Sequence, residues 1–262
     1  MGYFIDQMNN KIHLDYYPSR IISLVPSQTE LLYTLGLSNR VVGITKFCIH
    51  PKKWFRTKNR IGGTKNVDIQ KVKNLKPDLI IGNKEENNIK DIQSLDGIAP
   101  IWMSDIYTLD DAYSMIKSIG QITGMETLSK QLVIDIKNEF QNLKDISLYK
   151  DLKGKTVQYF MWHNPDMVAG KSTFINCILE ECGFINLTKE NRYPEVSLNV
   201  NPDFVFLSSE PFPFGNNHLS YFKDAFPNSK IVFVDGEMFS WYGSRLKIAP
   251  SYFQLLFEKM IS

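Results

Sequence analysis

Short apolar runs alternate along this chain with stretches whose apolar positions recur every three or four residues. Ile21–Val25, Val41–Thr45, Leu79–Ile81 and Ile101–Met103 are the runs of the first half, and Thr156–Phe160, Phe184–Leu187, Asp203–Leu207 and Ile231–Val234 those of the second. Continuous apolar runs of this length predict strands buried on both faces of a parallel sheet. Between them, Leu31, Leu32 and Leu35, then Ile69, Val72 and Leu75, then Ile89, Ile92 and Leu95 mark amphipathic helices. The alternation predicts an α/β fold. Ahead of it, Phe4–Leu14 predicts a hairpin turning at Asn9-Asn10. Ser27-Gln28-Thr29-Glu30 predicts a capping box and Gly36 a helix stop, while Asp68 and Ser172 are placed to cap later helices.

One pattern is written twice. Leu75-Lys76-Pro77-Asp78-Leu79-Ile80-Ile81 is answered by Val200-Asn201-Pro202-Asp203-Phe204-Val205-Phe206. The flanking strands double in the same order, so two similar lobes are predicted. Between them, apolar positions at helical spacing run from Thr108 to Gly124 and again from Thr127 to about Ile146. The second helix, about 20 residues and so about 30 Å long, reads as a connector. The predicted division is 1–125 for the first lobe, 126–148 for the connecting helix and 149–262 for the second lobe. Two Rossmann-like lobes with parallel sheets imply a ligand cleft between them. Asp78 and Asp203 follow prolines at strand starts and read as turn formers.

Composition narrows the partners. A net charge of +2 with basic residues spread along the chain points to no nucleic acid and no membrane surface. No stretch approaches about 18 apolar residues, so membrane insertion is not expected. The start, Met1-Gly2-Tyr3-Phe4-Ile5-Asp6, lacks a basic and apolar leader pattern. As written the chain reads as cytoplasmic, and as periplasmic if a leader had been removed. Cys48, Cys177 and Cys182 have no metal-knuckle spacing and read as free, mostly buried thiols. A monomer is expected.

Arg20-Ile21-Ile22-Ser23-Leu24-Val25-Pro26-Ser27-Gln28-Thr29-Glu30-Leu31-Leu32, Val42-Gly43-Ile44-Thr45, the Pro77-Asp78 strand, and Pro194-Glu195-Val196-Ser197 ahead of Asn201-Pro202-Asp203 resemble one family. It is the helical-backbone (class III) substrate-binding proteins of ABC importers, in the cobalamin and iron–siderophore branch. The resemblance runs from about Ile12 to Leu256. It implies a non-enzymatic binding protein that clamps cobalamin, haem or a ferric siderophore between its lobes and needs no cofactor of its own. It also implies an ABC permease as partner, met by an acidic residue on each lobe. At the first such position stands Gln70, and the second segment is shortened between Ser197 and Asn201. The alternatives are a cytoplasmic relative that binds a corrinoid or a bare transition-metal ion without docking on a permease, or an enzyme on the same scaffold.

Loops after the C-terminal ends of parallel strands are where such sheets bind ligands. The ligand-binding candidates are Pro26, Ser27, Gln28, Lys46, Phe47, Trp54, Thr64, Lys65, Lys84 and Glu85 in the first half. In the second they are Trp162, His163, Arg192, Tyr193, Glu210, Phe212, Phe239, Trp241, Tyr242 and Arg245. Aromatics would stack on a flat chelate and cations would pair with its acidic groups. Phe239–Arg245 is the densest set. His50 and His163 are the candidate metal ligands, while His13 and His218 read as surface positions. Ala169-Gly170-Lys171-Ser172-Thr173 looks like the end of a phosphate loop, but Pro165 stands where its first glycine is required. No nucleophile elbow and no His-Glu-x-x-His helix is present, so no enzyme is expected.

Overall fold

Pro77-Asp78 and Pro202-Asp203 set the frame of two sheets. In each copy the aspartate stands just before a central strand and binds the start of the strand beside it. Asp78 accepts hydrogen bonds from the Ser19 and Arg20 amides, each at 2.7 Å, and from the Ser19 hydroxyl at 2.8 Å. Asp203 accepts from the Thr156 amide at 2.8 Å, its hydroxyl at 2.7 Å and Lys155 Nζ at 3.2 Å. These carboxylates therefore clamp neighbouring strands rather than merely form turns.

The computed structural model describes residues 2–196 and 200–261. They fall into two compact units. The first comprises 1–106, 110–134 and 242–245, and the second 107–109, 135–241 and 246–262.

The first unit opens with the predicted hairpin, β1 (Gly2–Ile5) and β2 (Lys11–Leu14), antiparallel, with Asn9 in the left-handed region. It continues through β3 (Ile21–Ser23), α1 (Pro26–Thr34), β4 (Val41–Ile44), α2 (Lys52–Thr57), β5 (Asn59–Arg60), α3 (Ile69–Asn74), β6 (Leu79–Asn83), α4 (Ile89–Ser94), β7 (Ile101–Ser104) and α5 (Leu109–Thr123). The order β5-β4-β3-β6-β7 is parallel throughout. Every residue of β3 and β6 is buried, as expected of strands covered on both faces. The unit boundary falls inside α6 (Glu126–Asp145).

The second unit holds α7 (Ser147–Leu152), β8 (Thr156–Trp162), β9 (Met167–Val168), α8 (Phe174–Glu181), β10 (Ile185–Asn186), β11 (Phe204–Ser208), α9 (Leu219–Ala225), β12 (Lys230–Val234), α10 (Gly236–Ser240) and α11 (Ala249–Ile261). Its sheet runs β10-β8-β11-β12 in parallel, with β9 folded back antiparallel on β8. Phe160, Val168, Val205, Leu207, Phe214, Phe222 and Phe226 form a core on one side of it.

Two caps differ from expectation. Pro26 occupies the first helical position of α1, so the cap is Val25 and Ser27 is buried within the first turn, making no capping bond. Proline suits that position because its missing N–H would be unpaired there anyway. Thr173, not Ser172, caps α8 by accepting from the Asn176 amide at 3.1 Å. Asp68 caps α3 as expected. Among the described residues no helix is long and apolar enough to cross a membrane.

Candidate functional site

In the first unit the loops after β3, β5 and β6 are braced from beneath by buried amides. Gln28 donates to Ser104 Oγ at 2.6 Å, and Asn83 Nδ2 donates to the same oxygen at 2.9 Å. Asn87 donates to the Thr64 carbonyl at 3.0 Å, while Asn83 Oδ1 receives the Glu85 and Glu86 amides at 2.8 and 3.0 Å. These hydrogen bonds fix a turn that carries few apolar residues.

Above this brace lies an exposed cationic edge. Lys46 and Phe47 are exposed, with Lys46 Nζ 5.1 Å from the Phe47 ring centre. Lys65 reaches the Glu85 carbonyl, and Lys84 pairs with Asp105 at 2.6 Å. Pro26 is half-buried at the head of α1.

The second unit presents different chemistry at its strand ends. Trp162 is 40% exposed and meets Phe212 edge-on at 5.8 Å. Arg192, in the left-handed region, lies 5.5 Å from the Tyr193 ring and 5.8 Å from that of Tyr107. Glu210 follows β11, and its Oε1 accepts from Ser240 Oγ at 2.8 Å and Trp241 Nε1 at 3.0 Å. Burial pushes the Glu210 carboxyl up from its ordinary value, against the pull of those two donors. His163 closes β8, with Nδ1 2.6 Å from Asp166 Oδ1.

Several candidates are not available to a ligand. Trp54 and Phe239 are 1% and 0% exposed. Trp54 packs edge-on against Tyr33, and Phe239 lies among Tyr159, Phe206, Tyr252 and Phe253. Gln28 and Ser27 are buried within α1, and Thr64 contributes its carbonyl to the brace. Trp241, Tyr242 and Arg245 are buried too. Arg245 is committed to Glu30 through two 2.9 Å hydrogen bonds, so the Glu30 of the expected capping box serves an ion pair instead. The densest aromatic-basic set of the sequence is therefore mostly packing.

Gly170 has a structural reason as well. A Cβ there would run into the Glu190 carbonyl oxygen; the Gly170 and Lys171 amides donate to the Arg192 and Glu190 carbonyls, and the Arg192 amide donates back to the Lys171 carbonyl. The amides a phosphate loop would aim at its ligand are spent on the 190–192 segment. Cys48 is buried against Thr29 and Thr45, and burial raises its thiol. His50 is half-buried ahead of a cis bond to Pro51. Among the described residues no group of three or more His, Cys, Asp or Glu side chains converges to hold a metal ion. His218 is not a plain surface residue, since its ring lies 5.5 Å from that of His163.

A model of the periplasmic binding protein family matches residues 21–224. The chain belongs to that family. Among its relatives is an uncharacterized ABC transporter substrate-binding lipoprotein, YvrC, of Bacillus subtilis, 29% identical over 218 residues, with 76% of this chain and 67% of that protein covered. A vitamin B12-binding protein of Vibrio cholerae is 23% identical, covering 76% of this chain and 73% of its own. The solved periplasmic heme-binding protein RhuT of Roseiflexus, 20% identical, superposes with a TM-score of 0.81 over 93% of this chain and 99% of its own, which establishes the shared fold. These lipoprotein and periplasmic relatives lend the cytoplasmic expectation no support.

The resemblance expects docking acids at two places on this periplasmic binding protein. Gln70 is exposed on α3 and donates to Asn74 Oδ1 at 2.9 Å. Of the shortened segment, 197–199 lie outside the described residues. Sequence reasoning missed the grouping of Asp166, Tyr221, His218 and Phe214 around His163. The one available signal was the number of aromatic and histidine side chains between Trp162 and Phe222.

Proposed function

We propose that this chain is the ligand-capturing component of an ABC importer whose cargo is a metal chelate of the vitamin B12, haem or ferric-siderophore kind. Family membership supports the importer role, and relatives named for B12 and heme support the cargo class. The observation that carries it is the exposed strand-end chemistry, Trp162 with Phe212 in one unit and Lys46 with Phe47 in the other. Rings of that kind stack on a flat chelate, and the lysines attract its acidic substituents. Relatives named as binding proteins support binding without a reaction of its own. The relatives' names support work on the outer side of the cytoplasmic membrane. A permease partner would meet Gln70 on α3 without an ion pair from that residue.

Titration of the purified protein with aquocobalamin, haemin and a panel of ferric siderophores, read by calorimetry and absorbance, tests the proposal. Saturable 1:1 binding of one of them in the micromolar range or tighter is expected. Failure to bind any member of the panel overturns it.

A further inference from the structure

Glu210 carries a carboxyl group that the fold aims but does not pair. It follows β11 in the loop that also holds Phe212, and it is half-buried. Both donors that reach it bond the same oxygen. Oε1 accepts from Ser240 Oγ at 2.8 Å and from Trp241 Nε1 at 3.0 Å. Oε2 accepts from no described residue, and no described lysine or arginine pairs with the group. The start of α10 closes over it, and a Cβ at Gly236 would stand 2.5 Å from Glu210 Cγ, so glycine is what permits the approach. The titratable groups that face it bring no positive charge. Asp235 and Glu237 at the start of α10 are acids, and Tyr159, buried on β8, stays a neutral phenol bonded to Ser208. Burial and then the neighbouring acids raise the Glu210 carboxyl against the pull of its two donors.

A carboxylate that only supported the fold would have its charge matched or both oxygens bonded. Here a partly desolvated one is oriented through Oε1, while Oε2 is left without a described partner beside the exposed rings of its own unit. An ionised carboxylate only accepts, so its complement is a hydrogen-bond donor. We propose that Glu210 Oε2 accepts from an N–H group on the rim of the bound chelate, which makes it a specificity-determining residue with Ser240 and Trp241 as positioning residues. The inference rests on the cargo class proposed above and adds a chemical requirement to it. A corrinoid rimmed with primary amides or a siderophore bearing an amine meets that requirement. Haem, whose rim carries two propionates and no N–H, sets like charge against Glu210 and is disfavoured.

The test titrates the intact protein, by calorimetry, with corrinoids that share one macrocycle and differ at the rim: dicyanocobinamide with its amides, and dicyanocobyrinic acid as its methyl ester and as its free acid. Haemin and ferrioxamine B, which carries a free ammonium, are measured beside them. The amide should bind at least about tenfold tighter than the ester, and the free acid and haemin more weakly still. Ferrioxamine B binding in place of the amide corrinoid assigns the donor to an amine. Glu210→Gln keeps an oxygen for Ser240 and Trp241 but turns an amide N–H₂ outward. It should weaken the donor-bearing ligand about tenfold or more and improve binding of the acid, with thermal melts confirming that it is folded. In the parent, affinity for the donor-bearing ligand should fall on acidification sooner than an ordinary carboxylate protonates, and the ester should show no such fall. That profile and the rim series decide the matter should the variant fail to fold. Equal binding of amide and ester, a preference for haemin, or unchanged affinity in Glu210→Gln overturns the inference and leaves the cargo proposal standing. If no chelate binds at all, the cargo proposal fails and this inference with it.

Discussion

The strand-start ends of the two sheets are alike, and the strand-end loops are not. Asp78 and Asp203 play one role in two places, each accepting an amide and a hydroxyl from the start of the adjacent strand. At the opposite ends the first unit carries Lys46, Lys65 and Lys84 and the exposed ring of Phe47. The second carries Trp162, Phe212 and Tyr193 together with acids, Asp166 after β8 and Glu210 after β11. A frame is fixed by backbone geometry that both copies share. Recognition is carried by loops that the sheet's hydrogen bonding does not constrain, so these have diverged.

The sharpest test of which strand-end rings belong to the frame and which to recognition is to remove one of each within the second unit. Phe239→Ala empties a fully buried position among four other rings. It should cost about 3–5 kcal/mol in denaturant unfolding. Trp162→Ala removes a ring that is 40% exposed. It should change stability by less than about 1 kcal/mol, while lowering chelate affinity about three- to tenfold, the scale of a lost ring stack. Equal destabilisation by the two would show that the exposed ring belongs to the core.

Next in size is the Glu30–Arg245 pair, with side-chain exposures of 21% and 7%. Glu30→Gln leaves the guanidinium largely buried beside a neutral amide. A loss of about 2–3 kcal/mol is expected, below the range for a fully buried pair because Glu30 retains contact with water. An unchanged unfolding midpoint would mean that Arg245 remains free to turn toward a ligand.

That pair also marks where the sequence stops being readable. The strands β3, β4, β6, β7, β8, β10, β11 and β12, the helices α1, α3, α4, α5, α6, α8 and α11 and the doubled frame follow from local periodicity, and they appear close to where it places them. The role of Glu30 depends on a partner 215 residues away. No local pattern separates a capping glutamate from an ion-paired one. Phe239–Arg245 misleads for the same reason, since rings and an arginine in a short segment look identical whether they face a ligand or a core. Helices α2, α7, α9 and α10 span five to seven residues, fewer than two turns, and are not expected from the sequence; α3 and α4 are as short but show a period once the leucine that follows each is counted.

The smallest effects distinguish the two ends of β11. Asp203 is held below the usual carboxylate range, first by the Thr156 amide and then by the Thr156 hydroxyl. Its contribution is therefore present above the unfolded value of about 3.9 and is lost as pH falls through the lower folded value. Asp203→Asn should cost about 1–2 kcal/mol at neutral pH, reduced by the residue's partial exposure, with the gap to the parent closing in acid. Glu210, beyond the other end of the strand, is raised by burial. The folded state then binds the proton more tightly than the unfolded one, so ionising Glu210 lowers stability as pH rises from its unfolded to its folded value. Glu210→Gln keeps an oxygen for Ser240 and Trp241 and removes the buried charge. It should be slightly stabilising at pH 7, with the gap to the parent closing in acid as Glu210 takes up its proton. Unfolding curves from pH 3 to 8 would show the two variants diverging from the parent in opposite senses. If both lost stability at neutral pH and recovered it in acid, Glu210 would be a clamp like Asp203 rather than a carboxylate held at cost beside the binding loops.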